Sequence, residues 1–89
     1  MVPLEVKKGT CVVLDGLRFP EGPRWRDGRF WFSDMHAGRV MTLDASGRAE
    51  TVLTLDDEPS GLGWLPDGRL LVVSMHQRKL LRRDPSGLV

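Results

Sequence analysis

One carboxylate stands out among the side chains that could carry out chemistry. Glu21 stands directly before a Gly-Pro pair, and its counterpart in an internal repeat, described below, is Ser60. A residue that serves the fold should keep its type from one repeat to the next, so a carboxylate that breaks the repeat is a candidate for function. Carboxylate oxygens suit hard cations such as calcium. The competing interpretation is a surface glutamate in a turn.

Two other polar residues are weaker candidates. Ser60 shares the location of Glu21 and could touch a substrate or a metal-bound water, although a small turn residue between Pro59 and Gly61 is the simpler interpretation. Asp34 ends an apolar segment and could help to line a site, but a role in a turn or cap is favoured. No catalytic residue follows from these positions.

The remaining reactive side chains have simpler explanations. His36 and His76 invite an acid, base or ligand role because imidazole titrates near neutral pH. They stand 40 positions apart, which is the period of the repeat, so a shared role in a turn is favoured. The acidic run 56–58 is expected to be a solvated loop. Cys11, the single cysteine, excludes an internal disulfide and a cluster of thiolate ligands, and a small buried hydrophobe is its simplest role.

Composition narrows the classes of partner. The chain carries 13 Lys and Arg against 12 Asp and Glu, a net charge of +1. The basic residues are dispersed except at 78–79 and 82–83, which fits a solvated strand edge better than a nucleic-acid or membrane surface. Residues 1–10 lack the apolar run of a signal peptide, and no stretch approaches the ~20 apolar residues that span a bilayer. We therefore expect a cytoplasmic protein with neither nucleic acid nor membrane as partner.

An internal repeat organises the elements that must position these residues. The segment WRDGRF at 25–30 matches WLPDGRL at 64–70, with one inserted residue. The offset between the two copies is 39 before the insertion and 40 after it. Periods of about 20–50 residues are typical of solenoids and propellers.

Periodicity within each repeat predicts strands. Segments 29–35 and 69–75 are short, apolar on both faces, and rich in aromatic or β-branched residues, which favours buried strands over helices. Asp-Gly pairs at 27–28 and 67–68 indicate hairpin turns, because glycine reaches positive φ without a Cβ clash. The predicted strands lie near 22–26, 29–35, 39–44 and 48–55 in the first repeat, and near 61–65, 69–75, 79–84 and from 88 onward in the second.

Four-stranded antiparallel units repeated around an axis are β-propeller blades. The predicted fold is therefore all-β and part of a propeller, with blade one at 16–55 and an incomplete blade two at 56–89. Residues 1–15 contain a further strand, near 9–14, that lacks a local partner. A β-solenoid is the alternative, although its coils are usually shorter. Large apolar side chains should fill the contacts between blades, and these include Trp25, Trp31, Trp64, Phe30, Phe32, Leu71 and Val73.

Two motifs resemble a known family. FPEGPRW at 19–25, followed by FWFSD at 30–34, resembles the first blade of the senescence-marker-protein (regucalcin) and gluconolactonase family. PSGLGW at 59–64 and the Asp-Gly turn at 67–68 resemble its second blade. The resemblance covers the chain from residue 14 to residue 89.

The resemblance implies a six-bladed propeller that hydrolyses lactones with a divalent cation, typically calcium or zinc, in its central channel. It implies that Glu21 is one metal ligand. The other ligands of the family are Asn and Asp residues of later blades, which this sequence does not include. The expected function is therefore that of the N-terminal part of a metal-dependent lactone hydrolase with a small-molecule lactone as substrate.

A propeller module that binds a partner without catalysis is the alternative, because a fold does not determine a function. Metal-ligating Asn and Asp residues in later blades would distinguish the two. The expected protein partners are the remaining blades or further copies of the chain, since three two-bladed copies would complete a six-bladed ring. The isolated chain is expected to be inactive toward lactones and to bind metal weakly.

Overall fold

The computed structural model describes residues 12–85 and 87–88. Within them the strands are β1 Pro20–Arg26, β2 Arg29–Asp34, β3 Arg39–Asp44, β4 Ala49–Thr54, β5 Pro59–Trp64, β6 Leu70–Ser74, β7 Lys79–Asp84 and β8 Gly87–Leu88. They form two four-stranded sheets in the orders β1-β2-β3-β4 and β5-β6-β7-β8. Every neighbouring pair is antiparallel. The predicted all-β fold and the four strands of each repeat are confirmed.

Two regions differ from the expectation or fall outside it. A single turn of 3₁₀ helix, Met35–Ala37, follows β2 and ends at Gly38, which takes a φ of 68°. Of the strand expected near 9–14, residues 9–11 lie outside the described residues, as does the environment of Cys11, and Val12–Leu14 form no strand.

The hairpin turns follow the chemistry predicted for them. Asp27 and Gly28 have φ values of 53° and 72°, the conformation of the two-residue turn that matches the twist of paired strands. In the turn between β3 and β4, the carboxylate of Asp44 accepts hydrogen bonds from the amides of Ser46 and Arg48 at 2.9 and 3.0 Å. Side chains that mimic a backbone turn in this way explain why Asp begins such loops.

Alternation along the strands gives blade one two different faces. On one face Phe32, Met41 and Leu43 form a buried cluster, with Leu14 and Leu17 packed against it. We call this side, which also carries Phe30, the blade-one outer face. The opposite face turns toward blade two.

The core between the blades is apolar. Val40 of blade one is buried with Leu62, Leu70 and Val72 of blade two, and Trp31 and Trp64 pack against the group. The rings of Trp31 and Trp64 meet edge to face with centroids 5.2 Å apart, and the guanidinium of Arg26 lies 4.8 Å from the centre of the Trp64 ring. Aromatic pairs of this geometry contribute beyond the area that they bury.

Trp25 lies outside the contact between the two described blades. Its side chain is 69% exposed. Trp25 pairs with Phe30 across β1 and β2, so it lies on the blade-one outer face, which no second sheet covers within the described residues. The prediction was right for Trp31 and Trp64 because these alternate to the inner side.

Candidate functional site

Glu21 lies on β1, the first strand of blade one, at a break in its pairing with β2. It faces Ser33 across the ladder, and the register shifts between Glu21 and Arg24. The intervening residues explain the irregularity, because Pro23 has no amide to donate and Gly22 takes a φ of 63°. The carboxylate is exposed and accepts a 3.3 Å hydrogen bond from the amide of Gly22. Within the described residues it forms no ion pair.

An apolar groove of about 500 Å³ runs beside Glu21. Its wall combines the segment that precedes β1 with the blade-one outer face. Glu21 is the charged residue among the groove residues, which are Val12, Val13, Leu14, Leu17, Pro20, Glu21, Pro23, Phe30, Phe32 and Leu43. Glu21 thus stands at the edge of an apolar surface with its carboxylate open to solvent.

Ser60 lies on β5, where the pairing with β6 shifts register at the equivalent place, between Pro59 and Leu62. Its carbonyl oxygen accepts a 2.7 Å hydrogen bond from Oγ of Ser33 in blade one. The same carbonyl faces Gly22 so closely that a Cβ at position 22 would lie 2.7 Å from the oxygen. The backbone of Ser60 thus joins the two blades next to Glu21.

Asp34 has a structural role, although not the expected one, since its side chain makes no cap hydrogen bond to the 3₁₀ turn that follows it. Its side chain is completely buried, and Oδ1 accepts hydrogen bonds from the amides of Arg18 and Phe19 at 2.8 and 2.7 Å. Oδ2 pairs with Arg39 at 3.1 Å. Burial would raise the pKa of Asp34, but these amides and the guanidinium together lower it below its ordinary value. Asp34 therefore stays ionised and ties the segment before β1 to the end of β2.

Blade two also ties the loop before its first strand to the end of its second strand, but here the carboxylate is on the loop. Asp57 precedes β5, and its Oδ2 accepts hydrogen bonds from Oγ of Ser74 at 2.6 Å and from the amide of Gln77 at 2.9 Å. The hydroxyl of Ser74 is the main cause that lowers the pKa of Asp57 to about 2. Ser74 is the repeat counterpart of Asp34, so the carboxylate has moved from the strand to the preceding loop.

The two histidines, one from each blade, both contact Glu58 in the loop that joins the blades. Nδ1 of His36 lies 3.0 Å from Oε1 of Glu58, and Nε2 of His76 lies 3.3 Å from Oε2. The hydrogen bond with His36 is the largest cause of a lowered pKa of Glu58, with His76 adding to it. The ring of Phe19, two residues before Glu21, lies 4.7 Å from that of His36. Asp57 and Glu58 are thus structural connections, whereas Asp56 is exposed, as expected for a solvated loop.

The position of Glu58 between two repeat-equivalent histidines was missed from the sequence. Each histidine lies in the turn after the second strand of its repeat, but the shared carboxylate belongs to the connection between blades. The signal that could have found it is the 39-residue offset, which makes Glu58 the repeat counterpart of Phe19 and so places the two residues at equivalent corners of their blades.

All of these polar groups lie at one end of the sheets, which we call the rim. Pro20 pairs with Asp34 and Pro59 with Ser74. The amide of Met35 donates to the carbonyl of Phe19 at 2.8 Å, and that of Met75 donates to Glu58 at 3.0 Å. Because the first strands of the two blades also contact each other, Glu21 lies at the rim on the side where the blades converge.

The donor set at the rim fits one ligand of a hard cation. Glu21 offers carboxylate oxygens that accept one weak hydrogen bond. In residues 12–85 and 87–88, no three His, Cys, Asp or Glu side chains are grouped so as to hold a metal ion. Glu21 can therefore contribute to a site, and the described residues do not complete one.

The fold and the rim define the chain as two consecutive blades of a β-propeller. The profile of the SMP-30/Gluconolactonase/LRE-like region family matches residues 19–88. The chain belongs to that family. Comparisons with curated proteins and with solved structures found no match. None of the helical structure in the described part of the chain has the length and apolarity needed to cross a bilayer.

Proposed function

We propose that these blades belong to a divalent-metal-dependent lactone hydrolase in which Glu21 supplies one carboxylate ligand. The family match over residues 19–88 carries the proposal. The exposed carboxylate at the rim, free of ion pairs within the described residues, supports the role given to Glu21. The metal is calcium or zinc in this proposal, and the substrate is a small cyclic ester.

The chemistry is the addition of one water across the acyl C–O bond of the ring, which yields a hydroxy acid. A bound divalent cation would supply Lewis acidity for this step. Glu21 would hold one coordination position from the first strand, next to the place where Gly22 and the carbonyl oxygen of Ser60 approach each other closely.

Glu21 also differs from the neighbouring carboxylates in how few hydrogen bonds it accepts. Asp34 and Asp57 are each committed to several hydrogen bonds within their own corner. Glu58 is paired with both histidines. Of Glu21, Asp34, Asp57 and Glu58, Glu21 is therefore the carboxylate that could bind a cation without giving up several hydrogen bonds or an ion pair.

The test is a lactonase assay on the protein encoded by the complete reading frame, with sugar and aliphatic lactones, before and after treatment with a chelator. Chelation should abolish turnover, and added calcium or zinc should restore it. Glu21→Gln should lower kcat/KM by more than about 100-fold, since even residues that support metal ligands contribute about 10- to 100-fold.

Glu50→Gln is the matched control. Glu50 is a half-exposed glutamate on β4 that pairs with Arg29 and Arg48, and its change should leave kcat/KM within a factor of about 2, since surface ion pairs contribute little. Unchanged turnover in Glu21→Gln would remove Glu21 from the mechanism. A protein inert toward all lactones would favour the binding-module alternative. The 89-residue chain alone should show no turnover.

A further inference from the structure

The turns after the first strands of the two blades share the sequence Asp-Gly-Arg, at 27–29 and at 67–69. They are repeat counterparts at the offset of 40. Aspartate followed by glycine can rearrange to isoaspartate, because glycine lacks the Cβ that would hinder the approach of its amide nitrogen to the preceding side chain. The two turns are therefore a matched pair, in which the fold decides how reactive each one is.

The rearrangement needs only these two residues and water. The glycine nitrogen attacks Cγ of the aspartate and a C–N bond forms, while the hydroxyl of the protonated carboxyl leaves with the amide proton as one water. Water then adds to one of the two carbonyl groups of the resulting succinimide ring. Opening at the former side-chain carbonyl restores aspartate, and opening at the main-chain carbonyl leaves the chain running through Cβ and Cγ, as isoaspartate.

The carboxylate of the second turn is held, whereas that of the first turn is nearly free. Asp67 accepts hydrogen bonds from the amide and from Nε of Arg69 at 3.0 and 2.9 Å. The side chain of Arg69, followed by its amide, lowers the pKa of Asp67, which depletes the protonated form that can lose water. Asp27 is 78% exposed, and its ion pair within the described residues is a 3.5 Å contact with Arg26.

The arginine that follows each Asp-Gly pair accounts for this difference. Arg69 directs its guanidinium at Asp67, with Nη2 2.9 Å from the carboxylate. Arg29, the counterpart of Arg69, lies instead 3.3 Å from Glu50 of β4. The same three residues are thus paired with each other in blade two and are not in blade one.

The glycine amides differ in the same direction. The amide of Gly68 donates a 2.9 Å hydrogen bond to the carbonyl of Leu65, which must break before its nitrogen can attack. Gly28 is exposed, and in the part of the chain that the structure describes its amide donates no backbone hydrogen bond. Both reacting groups are therefore accessible in the first turn and engaged in the second.

We propose that Asp27 is the site at which the folded chain isomerises to isoaspartate, and that the fold protects Asp67 from the same reaction. The added methylene lengthens a turn whose ends, Arg26 and Arg29, pair with each other. The carbonyl of Arg26 also accepts a 3.1 Å hydrogen bond from Nε1 of Trp31, which packs against the core between the blades. Isomerisation should therefore loosen the first hairpin and disturb that core. The proposal is independent of the lactonase function, since neither Glu21 nor a metal takes part.

The experiment ages the purified chain at neutral pH and physiological temperature, in buffer and in guanidinium chloride. Chymotryptic peptides are separated by chromatography, and electron-transfer fragmentation locates isoaspartate. The quantity compared is the rate at Asp27 divided by the rate at Asp67, because flanking-sequence effects cancel when the folded and unfolded ratios are compared. The folded ratio should exceed the unfolded one by at least about 5-fold, the factor that a single exposed ion pair can contribute.

Arg69→Gln removes the guanidinium that holds Asp67, so it should raise the rate at Asp67 and leave the rate at Asp27 unchanged. Arg83→Gln is the matched control, since it changes an exposed arginine of β7 and should alter neither rate. Far-UV circular dichroism checks the fold of both variants, and the wild-type ratio decides alone if Arg69→Gln unfolds. Absence of isoaspartate at Asp27 in the folded chain, or equal ratios in buffer and guanidinium chloride, would overturn the proposal. A rate at Asp67 that does not rise in folded Arg69→Gln would overturn the protection assigned to Arg69.

Discussion

Replacement of Gly22 by alanine tests the junction that fixes Glu21 against blade two. A Cβ at this position would lie 2.7 Å from the carbonyl oxygen of Ser60, and a backbone oxygen in a paired strand cannot move aside easily. Gly28 offers a matched control. Its φ of 72° is close to the 63° of Gly22, but a Cβ there would meet nothing within 4 Å.

The two substitutions should change the free energy of unfolding for the same reasons, except that only Gly22→Ala adds a contact with Ser60. The left-handed backbone costs a non-glycine residue about 1–2 kcal/mol in either position, and the loss of unfolded-state entropy is common to both. Forcing extra volume against fixed atoms typically costs about 1–3 kcal/mol more. Gly22→Ala should therefore lower the free energy of unfolding by about 1–3 kcal/mol more than Gly28→Ala.

Urea unfolding followed by tryptophan fluorescence provides the measurement, since the chain has three tryptophans and Trp31 and Trp64 lie at the junction. All samples need one protein concentration, because association with other copies would add to the apparent stability. Equal losses in the two variants, or a neutral Gly22→Ala, would refute the close approach of Gly22 to Ser60.

Two further predictions concern the carboxylates at the corners of the blades. Asp34→Ala should destabilise the chain by about 2–4 kcal/mol in the same urea experiment, because two backbone amides and an arginine lose a buried acceptor. Asp67→Ala, which removes an exposed pair with Arg69, should cost much less. Similar losses in the two variants would contradict the buried role of Asp34. The pKa of Asp57 is about 2 in the folded chain and about 3.9 in an unfolded one, so its contribution is present above pH 4 and should disappear as the pH falls toward 2. The free energy of unfolding should therefore fall less between pH 4 and pH 2 in Asp57→Asn than in the wild type, as followed by circular dichroism during acid titration. An equal fall in both proteins would refute the lowered pKa of Asp57.

Sequence reasoning predicted the strands well because their signals are local. Asp-Gly pairs and short apolar runs specify hairpins without reference to distant residues, and all eight strands lie close to their predicted positions. The faces of those strands were harder to assign. Trp25 and Trp31 are both large and apolar, and only the register of β1 against β2 shows that Trp25 turns to the exposed side.

The candidate site was predictable to a lesser degree. Glu21 stood out because the repeat has serine at the equivalent position, which is a comparison within one sequence. The connection from Glu58 to His36 and His76 spans two turns and a loop, so it depends on how the blades sit together. A contact that exists only after two sheets have packed leaves no signature in the pattern of either sheet.

The exchange of charge between Asp34 and Asp57 has a consequence for anyone who builds idealised blades from averaged repeats. In blade one the acid is on the strand, and in blade two it is in the loop, facing Ser74. An averaged repeat that kept both acids would set two negative charges against each other, and one that kept neither would leave the corner without an acceptor. The two positions therefore have to be chosen together. Both blades keep the hydrogen-bonded connection between strand and loop, but they do not keep the residue type at either position.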